Sequence, residues 1–521
     1  MIFDNFFEVL AGQSPFTVSI RQINAKLPIL ATFLVALAAP CVGRTDAAEA
    51  TAPAQSATPP ALTTPTRSTP LSASQIGATP INGPAIDTSL AGFTGWTKPA
   101  WLSDLSLGVK ESYDDNVLRV SGMGLPIESS WVNVVSLKLG LNLTRILPVD
   151  PGAIQVFSLI YQPDRATYSQ ASSEDFTAHR VNATLKAKSG NITFSLDDAF
   201  LFNDGSKFAP TYALNQLPGA AGNQNDKYRN SLAHAAPRER RNQFQDRYTA
   251  FLQYDTRYLF FRPISALNLI DMKTYLFNTS LAPYEGYQDY VERYDVNVGA
   301  DMGLKVTPNW AITLGYRDGY QYQQQYALAI NSDQHFSSNH YQRLLFGLEG
   351  KLDWLNVKLA AGPDFRDFNP DTPISDLHTT RFYGEAAVIA NLSHNQSLTL
   401  NYKDYIFVSS TGLVPYEEYT YSLLYHLSAT RQLGIDLGAK LFEHNYTLGD
   451  DLAGSAPSMR EDLDEEGLAG VTFAFTPHLI ASLTYNFDDG RNALGTLAAK
   501  YAPAYRNFEE GVFAGGVQYR F

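Results

Sequence analysis

Residues 135–144 read VSLKLGLNLT, and their apolar members fall on one parity: Val135, Leu137, Leu139, Leu141 and Leu143 alternate with Ser136, Lys138, Gly140, Asn142 and Thr144. A period of two is the mark of an extended strand with one greasy and one wet face. The pattern recurs along the chain. Val181, Ala183, Leu185 and Ala187 alternate with Asn182, Thr184, Lys186 and Lys188, and Leu433, Ile435, Leu437, Ala439 and Leu441 alternate with Gly434, Asp436, Gly438 and Lys440. Segments at 310–317 and 398–403 repeat it. So many strands in one chain need either a second sheet to cover each greasy face or an apolar solvent around it.

Connection lengths favour the apolar solvent. Short turns at 148–152, 189–191, 307–309, 393–395, 429–432 and 476–478 alternate with longer connections at 116–130, 204–241, 323–338, 366–378, 447–462 and 489–508. A membrane barrel sorts its connections this way, short on the periplasmic side and long outside. The expected fold is all-β: an antiparallel up-and-down transmembrane barrel of about 18 strands over residues 101–521, with 16 also compatible, because 153–168 and 256–275 are ambiguous. Either number leaves a water-filled lumen.

Composition agrees. Charged residues make up 17% of the 521 residues and aromatics 12%, so apolar character is spread in alternation. Only residues 27–43, LPILATFLVALAAPCVG, form a continuous apolar run, which is short for a spanning helix. Arg21 and Lys26 precede it and Ala47, Ala48 and Ala50 follow, so residues 1–48 read as a secretory signal peptide. Residues 49–100, rich in Ala, Thr, Pro and Ser, read as a disordered periplasmic segment. The net charge of −13 argues against nucleic acid, and the single cysteine, Cys41, excludes structural disulfides.

Charges on alternating strands belong on the wet face, since Lys or Arg at mid-depth in lipid costs about 2–4 kcal/mol. Lys138, Arg180, Arg293, Arg317, Glu349, Lys351, Arg381, Glu385, Lys403, Asp436 and Lys440 are the candidate pore-lining residues. They describe a mixed, somewhat basic lumen. The plainer reading is a wet wall braced by salt bridges. Residues 461–467, EDLDEEG, read as an acidic external loop, and 204–241 reads either as an inward constriction or as a surface loop with a basic end, RERR. Trp310, Tyr419, Tyr421, Tyr519 and Phe521 are expected in interfacial aromatic girdles.

Catalytic, metal and cofactor patterns are thin, and the expectation is a non-enzyme without metal or cofactor. His335 and His340 share a Ser- and Asp-containing stretch, and His426 lies on the wet parity with Ser422 and Ser428 but no acid obvious in sequence.

The final residues, EEGVFAGGVQYRF, alternate and stop on an aromatic. This resembles the closing strand of bacterial outer-membrane barrels, and the resemblance implies that Tyr519 and Phe521 form the signal read by the barrel-assembly machinery. Residues 105–122, LSLGVKESYDDNVLRVSG, lead into Tyr113-Asp114-Asp115-Asn116-Val117. That exit is similar to the opening strand of the putative β-barrel porin-2 family. The resemblance implies an outer-membrane channel passing small polar solutes or an exported polysaccharide. Its expected partners are outer-membrane lipid, lipopolysaccharide and possible periplasmic export components. A non-conducting docking barrel and a barrel hydrolase are the alternatives, and oligomeric state is left open.

Overall fold

The computed structural model describes residues 98–117, 127–146, 152–205, 242–272, 292–323, 337–370, 372, 374, 376–408, 415–445, 461–492 and 508–521. Residues 1–48, nearly all of 49–100, most of 204–241 with the RERR end, and His335 lie outside the described residues.

Eighteen strands alternate in direction: β1 (Leu102–Asp114), β2 (Ser130–Asn142), β3 (Ile154–Tyr168), β4 (Phe176–Ser189), β5 (Ile192–Asp204), β6 (Gln243–Asp255), β7 (Leu259–Met272), β8 (Arg293–Thr307) and β9 (Trp310–Gln323) make the first half. The second half is β10 (Asn339–Lys351), β11 (Leu355–Phe368), β12 (His378–Ser393), β13 (Gln396–Phe407), β14 (Tyr416–Ser428), β15 (Leu433–Asn445), β16 (Glu461–Ala474), β17 (Leu479–Asn492) and β18 (Phe508–Arg520). Each strand pairs antiparallel with its sequence neighbours, and β1 pairs with β18 from Ser106–Arg520 to Asp114–Val512, so the sheet closes on itself. Both ambiguous segments are single strands, β3 and β7.

Connections sort to the two ends as expected. Two-residue turns join β4 to β5 at Gly190-Asn191 and β8 to β9 at Pro308-Asn309. Gly190 has φ +56°, a left-handed conformation that favoured hairpin turns use and that glycine adopts without penalty. Residues 461–467 are a correction to the sequence reading: they are the first half of β16, not a loop. Neighbouring strands supply the cations that make this possible. Lys440 bridges Glu466 at 3.1 Å, and Arg491 bridges Glu465 at 2.5 Å.

The two faces separate cleanly over most of the wall. Leu107, Val109, Val135, Leu137, Met302, Leu314, Phe346, Leu400, Leu437, Leu483 and Val517 are exposed on one parity. A belt of rings bounds them at the turn end, including Trp101, Tyr258, Trp354, Phe475, Tyr519 and Phe521, and another at the loop end, including Tyr113, Trp131, Tyr320, Phe365, Phe382 and Phe513. An apolar band between two aromatic girdles is the exterior of a membrane barrel, and barrels of this build belong to outer membranes.

The Tyr113–Val117 exit has a structural task. Asn116 donates from Nδ2 to the Glu509 carbonyl at 2.7 Å, and the Gly511 N–H donates to Asp115 Oδ1 at 2.7 Å. These bonds fasten β1 to β18 just beyond the last ladder pair, where the closing seam would otherwise fray.

One sector breaks the exterior rule. Asp198 at mid-length of β5 and Asp246 near the loop end of β6 share the parity of the outward Phe200 and Tyr248 and sit on diagonal positions across the pair. Tyr248 on that face reaches Ser265 Oγ of β7 at 3.1 Å. A carboxylate among acyl chains is unfavourable, though by less than Lys or Arg. Asp198→Leu is therefore expected to raise the temperature at which detergent-held barrel loses its compact form on an SDS gel; an unchanged or lower temperature would mean that this face does not meet hydrocarbon.

Candidate functional site

The inner face carries the polar parity. At its middle, Arg262 of β7 donates to Asp301 of β8 (Nη2–Oδ2 2.9 Å) and to Glu349 of β10 (Nη2–Oε2 3.0 Å), while Arg317 of β9 bridges Asp301 at 2.7 Å. Lys358 lies 3.8 Å from Glu385, which also accepts from Tyr383 Oη at 2.9 Å. Arg262, Asp301, Arg317, Glu349, Lys358 and Glu385 line a common pocket. Gly315 makes room for the cluster, because a Cβ there would come within 2.6 Å of Asp301 Oδ1.

Nearer the loop end the inner-face side chains of β8–β11 are packed together and buried. Asp364 of β11 is fully buried between Arg343 of β10 (Nε–Oδ2 3.1 Å) and Arg366 (Nη2–Oδ2 2.8 Å). The Arg343 guanidinium lies over the Tyr341 and Tyr383 rings, at 4.0 and 4.3 Å from their centres. Tyr341 donates to Asp295 at 2.6 Å, and Gln321 Nε2 donates to Asp295 at 3.0 Å. Charges without water are tolerated when paired, and Asp364 is paired with both guanidinium groups, although its Oδ1 and the Arg343 Nε and Nη2 make no hydrogen bond.

This packing has a visible cause. The β12–β13 ladder ends at Gly384–Asp404, although β12 continues to His378 against β11 and β13 continues to Phe407 against β14. Beyond Asp404 the end of β13 parts from β12 and turns into the lumen, while β14 stays paired with β15 as far as Glu417–Asn445. Gln321 of β9 donates to the Ile406 carbonyl at 3.0 Å, and Arg293 of β8 donates to the Val408 carbonyl at 2.8 Å and stacks 4.5 Å over Phe407. Behind this segment, Ile406 packs with Phe368 and Ile374. Below the tip, Tyr405 donates to Glu418 at 2.7 Å, and His444 lies 3.4 Å from the same carboxylate. Among the described residues, the segment that turns into the lumen is thus the end of β13, backed by β14. The 204–241 segment, the sequence candidate for that role, lies outside the described residues.

The sequence candidates distribute over this interior. Arg317, Glu349 and Glu385 belong to the mid-barrel cluster. Arg293 holds the inturned end of β13, and Lys403 places Nζ 3.3 Å from the Tyr405 ring centre. Lys138 pairs with Asp104 at 2.7 Å, Arg180 with Asp164, and Lys440 with Glu466. Lys351 stands exposed at the foot of β10, and Arg381 is exposed on the inner parity of β12. Asp436 receives His426. Sequence reading missed Arg262, Arg343, Arg366 and Gln321, all on the wet parity of strands it had recognised only in part.

The inner charge is arranged in arcs. Lys358, Arg381 and Lys403 make a basic arc on β11–β13 with Glu385 set among them, and Asp464, Glu466, Asp488 and Glu510 an acidic one on β16–β18.

No family model and no curated protein matches the chain. Among solved structures, OpdK of Pseudomonas aeruginosa is 10% identical, with 80% of this chain and 99% of that one covered and a TM-score of 0.37. OccAB3 of Acinetobacter baumannii is 12% identical with coverage of 80% and 99% and a TM-score of 0.37. The ferric citrate transporter FecA is 10% identical with coverage of 76% and 61% and a TM-score of 0.36. Superpositions this loose add nothing to the fold already described.

Proposed function

We propose that the protein is an outer-membrane channel passing small polar solutes, narrowed at its outer end by the inturned end of β13. One observation carries this: inside a closed sheet, the Lys358 side chain keeps 49% of its surface accessible. Among the described residues nothing buries this side chain, which supports a wetted mid-barrel interior. The inturned end of β13 favours small solutes over an exported polysaccharide, because a polymer must displace its cross-lumen bonds. The Tyr113–Val117 exit, similar to that of the porin-2 family, supports the channel reading without choosing between the two cargoes.

The test is single-channel recording in planar bilayers, where steady unitary openings are expected. Arg381 and Arg317 should then differ. Arg381→Glu inverts an exposed charge on the basic arc and should lower anion preference without loss of folded protein. Arg317→Glu places a third acid beside Asp301 and should lower the yield of folded barrel. A silent bilayer with well-folded protein would instead favour a docking barrel.

A further inference from the structure

His426, the inward histidine with no acid near it in sequence, acquires one through register. On the inner face of β14 its Nδ1 lies 2.7 Å from Oδ1 of Asp436, directly across on β15, and its Nε2 lies 3.1 Å from Oγ of Ser428. A carboxylate accepts only, so Nδ1 carries the proton and Nε2 is left to accept from the serine hydroxyl. These are the roles, atom by atom, of a serine–histidine–aspartate relay. Side-chain exposure of 28% for His426 and 32% for Asp436 leaves the group open to the lumen.

The surroundings leave space for a substrate carbonyl. Ser428, Gly434 and Thr472 stand in one cross-strand row. A Cβ at Gly434 would come 2.7 Å from Thr472 Oγ1 and 3.7 Å from His426 Cε1. Glycine at this place therefore keeps a small opening bounded by the imidazole and the Thr472 hydroxyl, beside the serine. A hydroxyl on the far side of that opening is positioned to donate to an oxyanion.

We propose that Ser428, His426 and Asp436 form a hydrolytic site for small water-soluble carboxylic esters at the turn end of the lumen. Ser428 Oγ attacks the ester carbonyl carbon while its proton passes to His426 Nε2. The bond to the alkoxy oxygen breaks, and that oxygen leaves as the alcohol with the proton from Nε2. Water, deprotonated by the same nitrogen, then cleaves the acyl–Oγ bond; the carboxylic acid departs and Ser428 regains its proton. Asp436 steadies the imidazolium in both halves. The site stands whether or not solutes cross the barrel.

The test uses the full barrel in detergent with two probes, p-nitrophenyl acetate and a fluorophosphonate. The expected result is an initial burst of nitrophenol and phosphonylation mapped to Ser428. Both should vanish in Ser428→Ala and fall roughly a hundredfold or more in His426→Ala, the scale of a lost general base. Gly434→Val, which fills the opening, should suppress ester turnover in barrel that retains its heat-shift on gels. Absence of label at Ser428 in folded protein would overturn the proposal. So would labelling equal in His426→Ala, or ester cleavage that survives Ser428→Ala.

Discussion

Asp364→Leu is expected to destabilise the barrel by about 3–5 kcal/mol, the scale for removing one partner of a buried ion cluster. Asp364 lies with Arg343 and Arg366 on either side, and all three side chains are buried. Without the carboxylate, two guanidinium groups face each other in a space closed to water. Arg366 retains Gln321 and Asn339 as acceptors, at 2.8 and 2.9 Å, whereas Arg343 keeps mainly the faces of Tyr341 and Tyr383. The midpoint of urea unfolding in micelles should fall sharply, and the loop-end interior should become accessible to small thiol reagents at a cysteine placed at Ser338. A variant as stable as the parent would mean that the interior there is wet.

The second large effect is on conduction. Arg293→Ala removes the bond to the Val408 carbonyl and the stacking on Phe407 that hold the inturned end of β13. A charge-assisted hydrogen bond contributes about 1.5–3 kcal/mol. Losing about 2 kcal/mol shifts the balance between inserted and withdrawn segment roughly thirtyfold. In bilayers this should appear as openings of larger unitary conductance or a much greater open fraction. Arg293→Lys keeps the charge but not the planar fork, and should lie between. Unchanged conductance in Arg293→Ala would place the narrowest point elsewhere.

How much of this was legible in the sequence depends on the range of the interaction. The strand count and the wet and greasy faces were readable because alternation is local: Val135 and Lys138 declare their faces within one strand. The acidic stretch at 461–467 misled because charge density resembles a loop, whereas Lys440 and Arg491, which make it a strand, lie tens of residues away. The inturned end of β13 was hidden for a related reason. Tyr405, Phe407 and Tyr416 are apolar on the wet parity, a local irregularity that signals something unusual but not its direction. The His426–Asp436 pair was illegible because only the β14–β15 register puts those residues opposite each other, and a slip of one position would leave the two side chains on opposite faces of the sheet.

The inturned end of β13 has one further consequence. The narrowing is made of strand backbone drawn inside the wall, with Ile406 packed against Phe368 and Ile374. A protease working from the cell exterior cuts what projects, so trimming the surface of whole cells should leave permeability nearly as it was. An antibody raised against the outer loops should block by covering the entrance, without reaching the element that sets its width.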